Sequence, residues 1–390
     1  MGYTRGKILK RAPLEYLSEL IETQAQGEAA IQSMIAKSME QSGCAVEFYD
    51  YFPNQVPVKG EFSTGEPNNG QKRRVLIATA KGDPTLPSLL IFAHPDSETV
   101  KNVEKWNSDP FAAISNNGKL FGWGVADDLA GCACAVEAIK VTLNRKKVAL
   151  GDIIFASTPS KNYARGVASI LHRGLTADAS LYLHPAESGK GMGEIKAVAS
   201  GQLEFSISVI GLAPDTTEPG HTAFSHLGVN PIDKAIKIID ALYQLNAARN
   251  LRIKHEKIHK EVGRSTNLHI SNIVSNDEHR LSRLNETCTF GGAISFPPGE
   301  DLSQVKEEIE KTVKKVSEND DWLNANSPNI SWVSGVTGAE VPESSLFYQI
   351  VSSATKSITG KMPYVNPMHT SSDIRNPIVE ANIPCVGLGC

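Results

Sequence analysis

The sequence predicts an α/β protein: a mostly parallel sheet clothed in helices, interrupted by a smaller α+β unit. Three observations predict it. Continuous apolar runs such as "LPSLLIFAHPD" and "VALGDIIFAST" read as strands covered on both faces. Segments of helical spacing alternate with those runs. Near residue 200 the strands change character: "GQLEFSISVIG" alternates apolar and polar residues, as a strand with one wet face does.

The elements follow in order. Residues 14 to 42 carry apolar positions at helical spacing and are stopped by Gly43. A strand "AVEFYDYF" follows, then a polar Pro/Gly/Asn loop to about residue 72. "RRVLIATAKG" is the strand before "LPSLLIFAHPD"; "FGWGVADDLAGCACAVEAIKVTLNR" is a Gly-rich turn entering a helix. After "VALGDIIFAST" come a helix, "NYARGVASILHRG", and a strand, "ADASLYLHP". "NPIDKAIKIIDALYQLNAARN" has Pro231 in the first turn of a helix, where a missing N–H is harmless. "TNLHISNIVSND", "CTFGGAISFPPG" and "ISWVSGVTG" are strands, and "EDLSQVKEEIEKTVKKVSEND" is a charged amphipathic helix. Strand, helix, strand, strand, helix, strand is a ferredoxin-like order. "SSLFYQIVSSATKSITG" and "IPCVGLG" then return to the α/β pattern. Residues 1–199 and 336–390 are therefore expected to form a discontinuous α/β domain, with 200–335 inserted.

Bulk properties exclude some functions. A chain of 390 residues with 41% hydrophobic residues and net charge -4 lacks the clustered basic face of a nucleic-acid partner. The six Cys are scattered. Cys132 and Cys134 lie on different sides of one helix, which disfavours a disulfide or zinc pair, and both read as small buried hydrophobes. The start lacks a signal-peptide apolar core and a myristoylation pattern, and no run is long enough to span a membrane. A cytoplasmic protein is expected. "NIPCVGLGC" reads as a buried strand without a polar tail, so either the chain is cut short or a natural tail is missing.

Three strand-end positions carry metal-binding side chains. His94 closes "LLIFAH", with Asp96 two residues on; Asp127 and Asp128 enter a helix; His184 closes "ASLYLH". Each has a plain alternative, a hydrogen-bonded loop His or a pair of helix-capping carboxylates. Together, at the carboxyl ends of strands in one sheet, they form a donor set suited to zinc or a related divalent transition metal.

"LLIFAHPDSE" followed by "KWNSDPFAAISNNGKLFGWGVADDLAG" resembles the metallopeptidase and deacylase family of acetylornithine deacetylase, succinyl-diaminopimelate desuccinylase, aminoacylase and carboxypeptidase G. "HTAFSHLGVNPIDKA", "TSSDIRNPI" and "IPCVGLG" resemble its later segments. The resemblance implies that His94 binds a metal, Asp96 orients it, and Asp127 bridges two metals. His184 falls where the family has a Glu or Asp ligand. His221 would reach the active site of a partner subunit, with residues 200–335 serving as lid and dimerisation domain of a homodimer or higher assembly.

Two departures stand out. The family's Glu-Glu pair, its general base and second-metal ligand, falls at Ser160 and Lys161, and its last His ligand would lie beyond "VGLG". An ammonium is a poor substitute for a bridging carboxylate at neutral pH. The resemblance, so altered, implies one divalent transition metal per chain (manganese or zinc) on His94, Asp127 and His184, with the second site lost. One branch of the family, the 5-nitroanthranilate aminohydrolases, replaces an activated aromatic amino group with hydroxide. That chemistry, on a small molecule carrying a carboxylate, suits the altered site. Ser160, Lys161 and Arg375, with Arg165 as a further cation, are expected to meet substrate; Arg165 reads equally as a surface cation. His369, Glu187 and Glu98 are the alternatives for proton transfer. An amidase, dipeptidase or N-acyl amino acid deacylase with a relocated base, and a non-catalytic ligand-binding relative, stay open as other readings.

Overall fold

The computed structural model describes residues 5–65, 70–145, 149–275, 281–367 and 372–389. An eight-stranded sheet runs in the order Ala45–Tyr51, Arg73–Ala80, Ile153–Ser157, Leu89–Ala93, Ala179–Leu183, Cys385–Leu388, Glu194–Lys196 and Tyr364–Val365. Its centre is parallel, from Ile153–Ser157 through Leu89–Ala93 and Ala179–Leu183 to Cys385–Leu388. The Ala45 edge is antiparallel. The Arg5–Thr23, Glu28–Gln41 and Ala130–Leu143 helices cover one face of the sheet, burying Leu20, Ile35 and Val136 against Leu76 and Phe155. On the other face Val167, Ile170 and Ile374 pack on Val75, Phe92 and Ile154. Coverage on both faces is why the central strands are apolar throughout.

A second, antiparallel sheet runs Asn267–Ser275, Thr287–Phe296, Gly201–Ile210, Asn329–Val336 and Glu61–Ser63. Its first four strands have the ferredoxin-like order. The Pro231–Arg252 and Leu302–Glu318 helices bury Ile238, Leu242, Val305 and Ile309 on its inner face.

Four local expectations are corrected. The single helix over residues 14 to 42 is two helices, Arg5–Thr23 and Glu28–Gln41, separated at Gly27, whose φ of +93° an L side chain rarely adopts. The polar stretch before residue 72 contributes Glu61–Ser63 as the edge strand of the second sheet, a pairing too distant in sequence for local periodicity to reveal. The helix placed over "NYARGVASILHRG" begins at Gly166, because Asn162, Tyr163 and Arg165 take left-handed backbone angles before it. Cys134 is exposed while Cys132 is buried, as two residues apart on one helix dictates. Among the described residues, no helix is long and apolar enough to cross a membrane.

Candidate metal centre

Three parallel neighbours, Ile153–Ser157, Leu89–Ala93 and Ala179–Leu183, end at the same edge of the sheet. Each releases its next residues there: Ser160 and Lys161, His94, and His184. The fourth contributor is the turn Val125–Leu129, which leads into the helix Ala130–Leu143. Two glycines let that turn approach. Gly124 has φ +63° and its missing Cβ would lie 2.1 Å from Ser97 Oγ; at Gly131 a Cβ would lie 2.4 Å from Asp128 Oδ1 and 2.6 Å from the Leu183 carbonyl oxygen.

His94 Nε2 lies 2.8 Å and His184 Nε2 3.4 Å from Asp127 Oδ1. All three donor groups fall within 4.8 Å of one another. Asp127 Oδ1 is buried yet makes no hydrogen bond of ordinary geometry. His94 Nδ1 stands 2.9 Å from the Asp96 carbonyl oxygen, which can only accept, so Nδ1 carries a hydrogen and Nε2 is the ring atom turned to Asp127. Burial by itself would hold the His94 imidazole below its ordinary range, but the carboxylates of Asp127 and Asp96 outweigh it and raise its proton affinity. The cluster attracts positive charge, and a divalent cation on His94, Asp127 and His184 fits it.

The surroundings hold these donors in place. Burial works against the Asp96 carboxylate, but His94, Arg73 and backbone N–H groups keep it ionised well below the usual range. Asp96 accepts from the Ser160 and Lys161 N–H groups at 2.9 Å each and from Arg73 at 2.9 Å. Arg73 also meets Glu28 at 2.5 Å. Lys196, with 0% of its surface exposed, holds His184 through Nζ···Nδ1 at 2.6 Å and donates to the Pro185 carbonyl oxygen at 2.7 Å. Tyr182 stacks on Phe92 at 4.8 Å and lies against the His184 ring at 5.0 Å. Asp128 is fully buried and accepts from the His94 backbone N–H at 3.1 Å. Burial pushes its carboxyl far up from the usual carboxylate range.

Lys161 reaches across the site. Its Nζ lies 2.6 Å from Asp127 Oδ2, the oxygen turned away from the imidazoles. Ser160 Oγ donates to Asp373 Oδ2 at 2.6 Å. The three candidate donors, Ser160, Lys161, Glu187, Asp373 and Arg375 line one cavity of about 540 Å³. A larger cavity, about 930 Å³, lies beyond Lys161 and Asn162, against Glu28, Arg73 and Asp96, and contains none of the three candidate donors.

The other expected site residues divide. Glu187 lines the cavity beside Lys196, at 3.6 Å from its Nζ. Arg375 is in the wall, but its N–H groups go to Thr337 O at 3.2 Å, Asn376 Oδ1 at 3.0 Å, Glu61 at 3.4 Å and Lys59 O at 2.6 Å, which makes it a brace between segments. Arg165 pairs with Glu61 at 2.9 Å. Glu98 is exposed at the cavity margin. His221 lies outside the cavity, its Nδ1 capping the turn that follows it by accepting from the Ala223 N–H. His369 falls outside the described residues. Glu28, Arg73, Lys196 and Asp373 were not singled out from the sequence. None left a local signal: Lys196, two residues after Glu194 in "GEIKAVAS", reads as the wet face of an alternating strand.

A mixed α/β fold with a histidine–carboxylate cation site at its strand ends defines a metallohydrolase. The chain belongs to peptidase family M20/M25/M40, whose model matches residues 90–390. It is a metal-dependent hydrolase acting on C–N bonds. It is 27% identical over 312 residues to the N-formyl-4-amino-5-aminomethyl-2-methylpyrimidine deformylase of Bacillus subtilis, covering 79% of this chain and 67% of that protein. To the succinyl-diaminopimelate desuccinylase of Legionella pneumophila it is 29% identical over 189 residues, 46% of this chain and 48% of that protein. The fold is shared with an M20 family metallo-carboxypeptidase of Sulfolobus solfataricus, with TM-score 0.68, 15% identity, and coverage of 96% of this chain and 90% of that one. It is also shared with a tripeptidase of Staphylococcus aureus, with TM-score 0.65, 16% identity, and coverage of 97% and 89%.

Proposed function

We propose that the protein hydrolyses a C–N bond of a small, activated, carboxylate-bearing substrate with a single divalent metal per chain. The observation that carries this reading is the contact of Lys161 Nζ with Asp127 Oδ2. An ammonium there takes the side of Asp127 on which a bridging carboxylate would hold a second cation. His94, Asp127 and His184 hold the one ion, manganese or zinc, and Asp96 and Lys196 set the imidazole orientations. A divalent ion so bound supplies Lewis-acid activation of water near neutral pH. Lys161 presents a fixed positive charge to the cavity, suited to a carboxylate or nitro group. With serine at position 160, no carboxylate of that turn serves the leaving group. An electron-poor aromatic amine such as 5-nitroanthranilate, whose ring stabilises the added charge, has the least need of one. The 540 Å³ cavity suits a substrate of that size.

A second reading is an N-acyl amine hydrolase, favoured by the identity to the pyrimidine deformylase. The two separate in one assay. Metal-stripped protein is titrated with manganese and with zinc and offered 5-nitroanthranilate, then the formylated aminomethylpyrimidine. Ammonia release from the first supports the aromatic-amine reading; formate release from the second alone replaces it. We place assembly in the same reading: a homodimer formed through the second sheet would bring His221 to the partner's cavity. A fully active monomer in light scattering removes that role.

A further inference from the structure

A hydrolase needs a group that takes the proton of the attacking water and returns it to the leaving nitrogen. Among the described residues, five carboxylates line this cavity: Glu61, Glu98, Asp127, Glu187 and Asp373. Asp127 belongs to the metal set and to Lys161. Glu61 lies between two buried guanidinium groups, Arg165 and Arg375. Glu98 is exposed, and Glu187 is 42% exposed and faces Lys196. Asp373 differs. Its Oδ2 accepts the Ser160 hydroxyl at 2.6 Å, and Asn376 Nδ2 fixes Oδ1 at 3.0 Å.

Ser160 is itself held from the other side. Its backbone N–H goes to Asp96 Oδ1, and the next residue both donates its N–H to Asp96 Oδ2 and sends its side chain to Asp127. The hydroxyl is thus pinned in the turn that abuts the metal donors. Its hydrogen is directed to Asp373, and its remaining lone pair is available to the cavity.

We propose that Asp373, acting through Ser160, is the proton acceptor of this site. Resting on the hydrolase reading above, the step balances as follows. Water gives a proton to Ser160 Oγ as the Ser160 hydrogen passes to Asp373 Oδ2. The water oxygen forms the C–O bond. The C–N bond breaks with its electron pair on nitrogen, and the proton returns from Asp373 through Ser160 to that nitrogen. The geometry relocates the base from the position of Ser160 to the carboxylate behind it.

The test uses metal-loaded protein with whichever substrate of the two-compound assay is hydrolysed. For Asp373→Asn the expected result is a fall in kcat of about 100- to 10,000-fold. The acidic limb of the kcat–pH profile should vanish, with KM within about threefold and metal content unchanged. Ser160→Ala should lose the same limb, and Asp373→Glu should restore part of the rate with the limb displaced. Asp373→Asn retaining both rate and limb overturns the proposal, as does loss of metal from that variant. Loss of the limb in Glu187→Gln or Glu98→Gln instead assigns the role elsewhere. A wild-type protein that turns over neither compound counts against the functional reading and this inference alike, whereas an active wild type with an unaffected Asp373→Asn sinks only the inference.

Discussion

Lys161 Nζ sits 2.6 Å from Asp127 Oδ2, while Asp127 Oδ1 faces the two imidazole nitrogens of His94 and His184. One carboxylate thus has an ammonium on one oxygen and a cation site on the other. The two positive charges compete for it. Between a divalent ion and an ammonium on one carboxylate the repulsion is on the order of several kcal/mol at an effective dielectric of about 20. Lys161→Met should therefore bind manganese or zinc at least about tenfold more tightly, read by competition with a chelating indicator, with elemental analysis giving one ion per wild-type chain. Weaker binding in the variant, or two ions in the wild type, would contradict this account of Lys161.

Metal affinity should also respond to residues that never touch the ion. Arg73 holds the Asp96 carboxylate at 2.9 Å, and that carboxylate lies 3.4 Å from His94 Nδ1. Partners behind a ligand typically change metal affinity by about 10- to 100-fold. Arg73→Met and Asp96→Asn should fall in that range, whereas His94→Ala should abolish stoichiometric binding. Titration of stripped protein measures all three. An Arg73 variant with wild-type affinity would reduce the residue to a brace for the helix Glu28–Gln41.

The same guanidinium produces a pH effect. It serves two carboxylates, and Asp96 has the better set of additional donors. Burial pushes the Glu28 carboxyl up from 4.5 to about 7, with Arg73 offsetting only part of that cost. The folded protein then binds more protons than the unfolded chain between about pH 4.5 and 7. The stability contributed by protonated Glu28 is complete below pH 4.5 and lost as pH rises through 7. At about 1.4 kcal/mol per pH unit the loss is about 3 kcal/mol. Denaturant unfolding at pH 5 and pH 8 should show wild type losing roughly that much relative to Glu28→Gln. Parallel behaviour of the two proteins would mean Glu28 ionises normally.

How much of this could be read in advance depended on whether the signal was local. His94, Asp127 and His184 stand where apolar runs or a Gly-rich turn end, and their order resembled a known family, so the donor set was legible. The break at Gly27 was not, because apolar spacing continues through it. Glu61–Ser63 pairs with Asn329–Val336, a contact no local period announces. Arg375 looked like a cation awaiting an anion, since its backbone partners at Lys59 and Thr337 come from distant segments. Asp373 lay within a familiar segment, but only the folded chain brings its carboxylate onto the Ser160 hydroxyl.

Lys196 allows stability and metal binding to be separated. Its side chain is wholly buried, burial lowers its proton affinity, and it contacts His184 Nδ1 and the Pro185 carbonyl. A buried amine carries a desolvation cost that an apolar side chain of similar length does not, a saving set against the Pro185 carbonyl that its loss leaves without this donor. Orienting an imidazole is a task methionine cannot perform. With the two terms opposed, Lys196→Met should change the melting temperature of the metal-free protein little while weakening metal binding about 10- to 100-fold. Thermal unfolding of stripped protein, paired with metal titration, reads both. A variant that loses stability and metal affinity together would show that Lys196 supports the strand Glu194–Lys196 and affects His184 only through it.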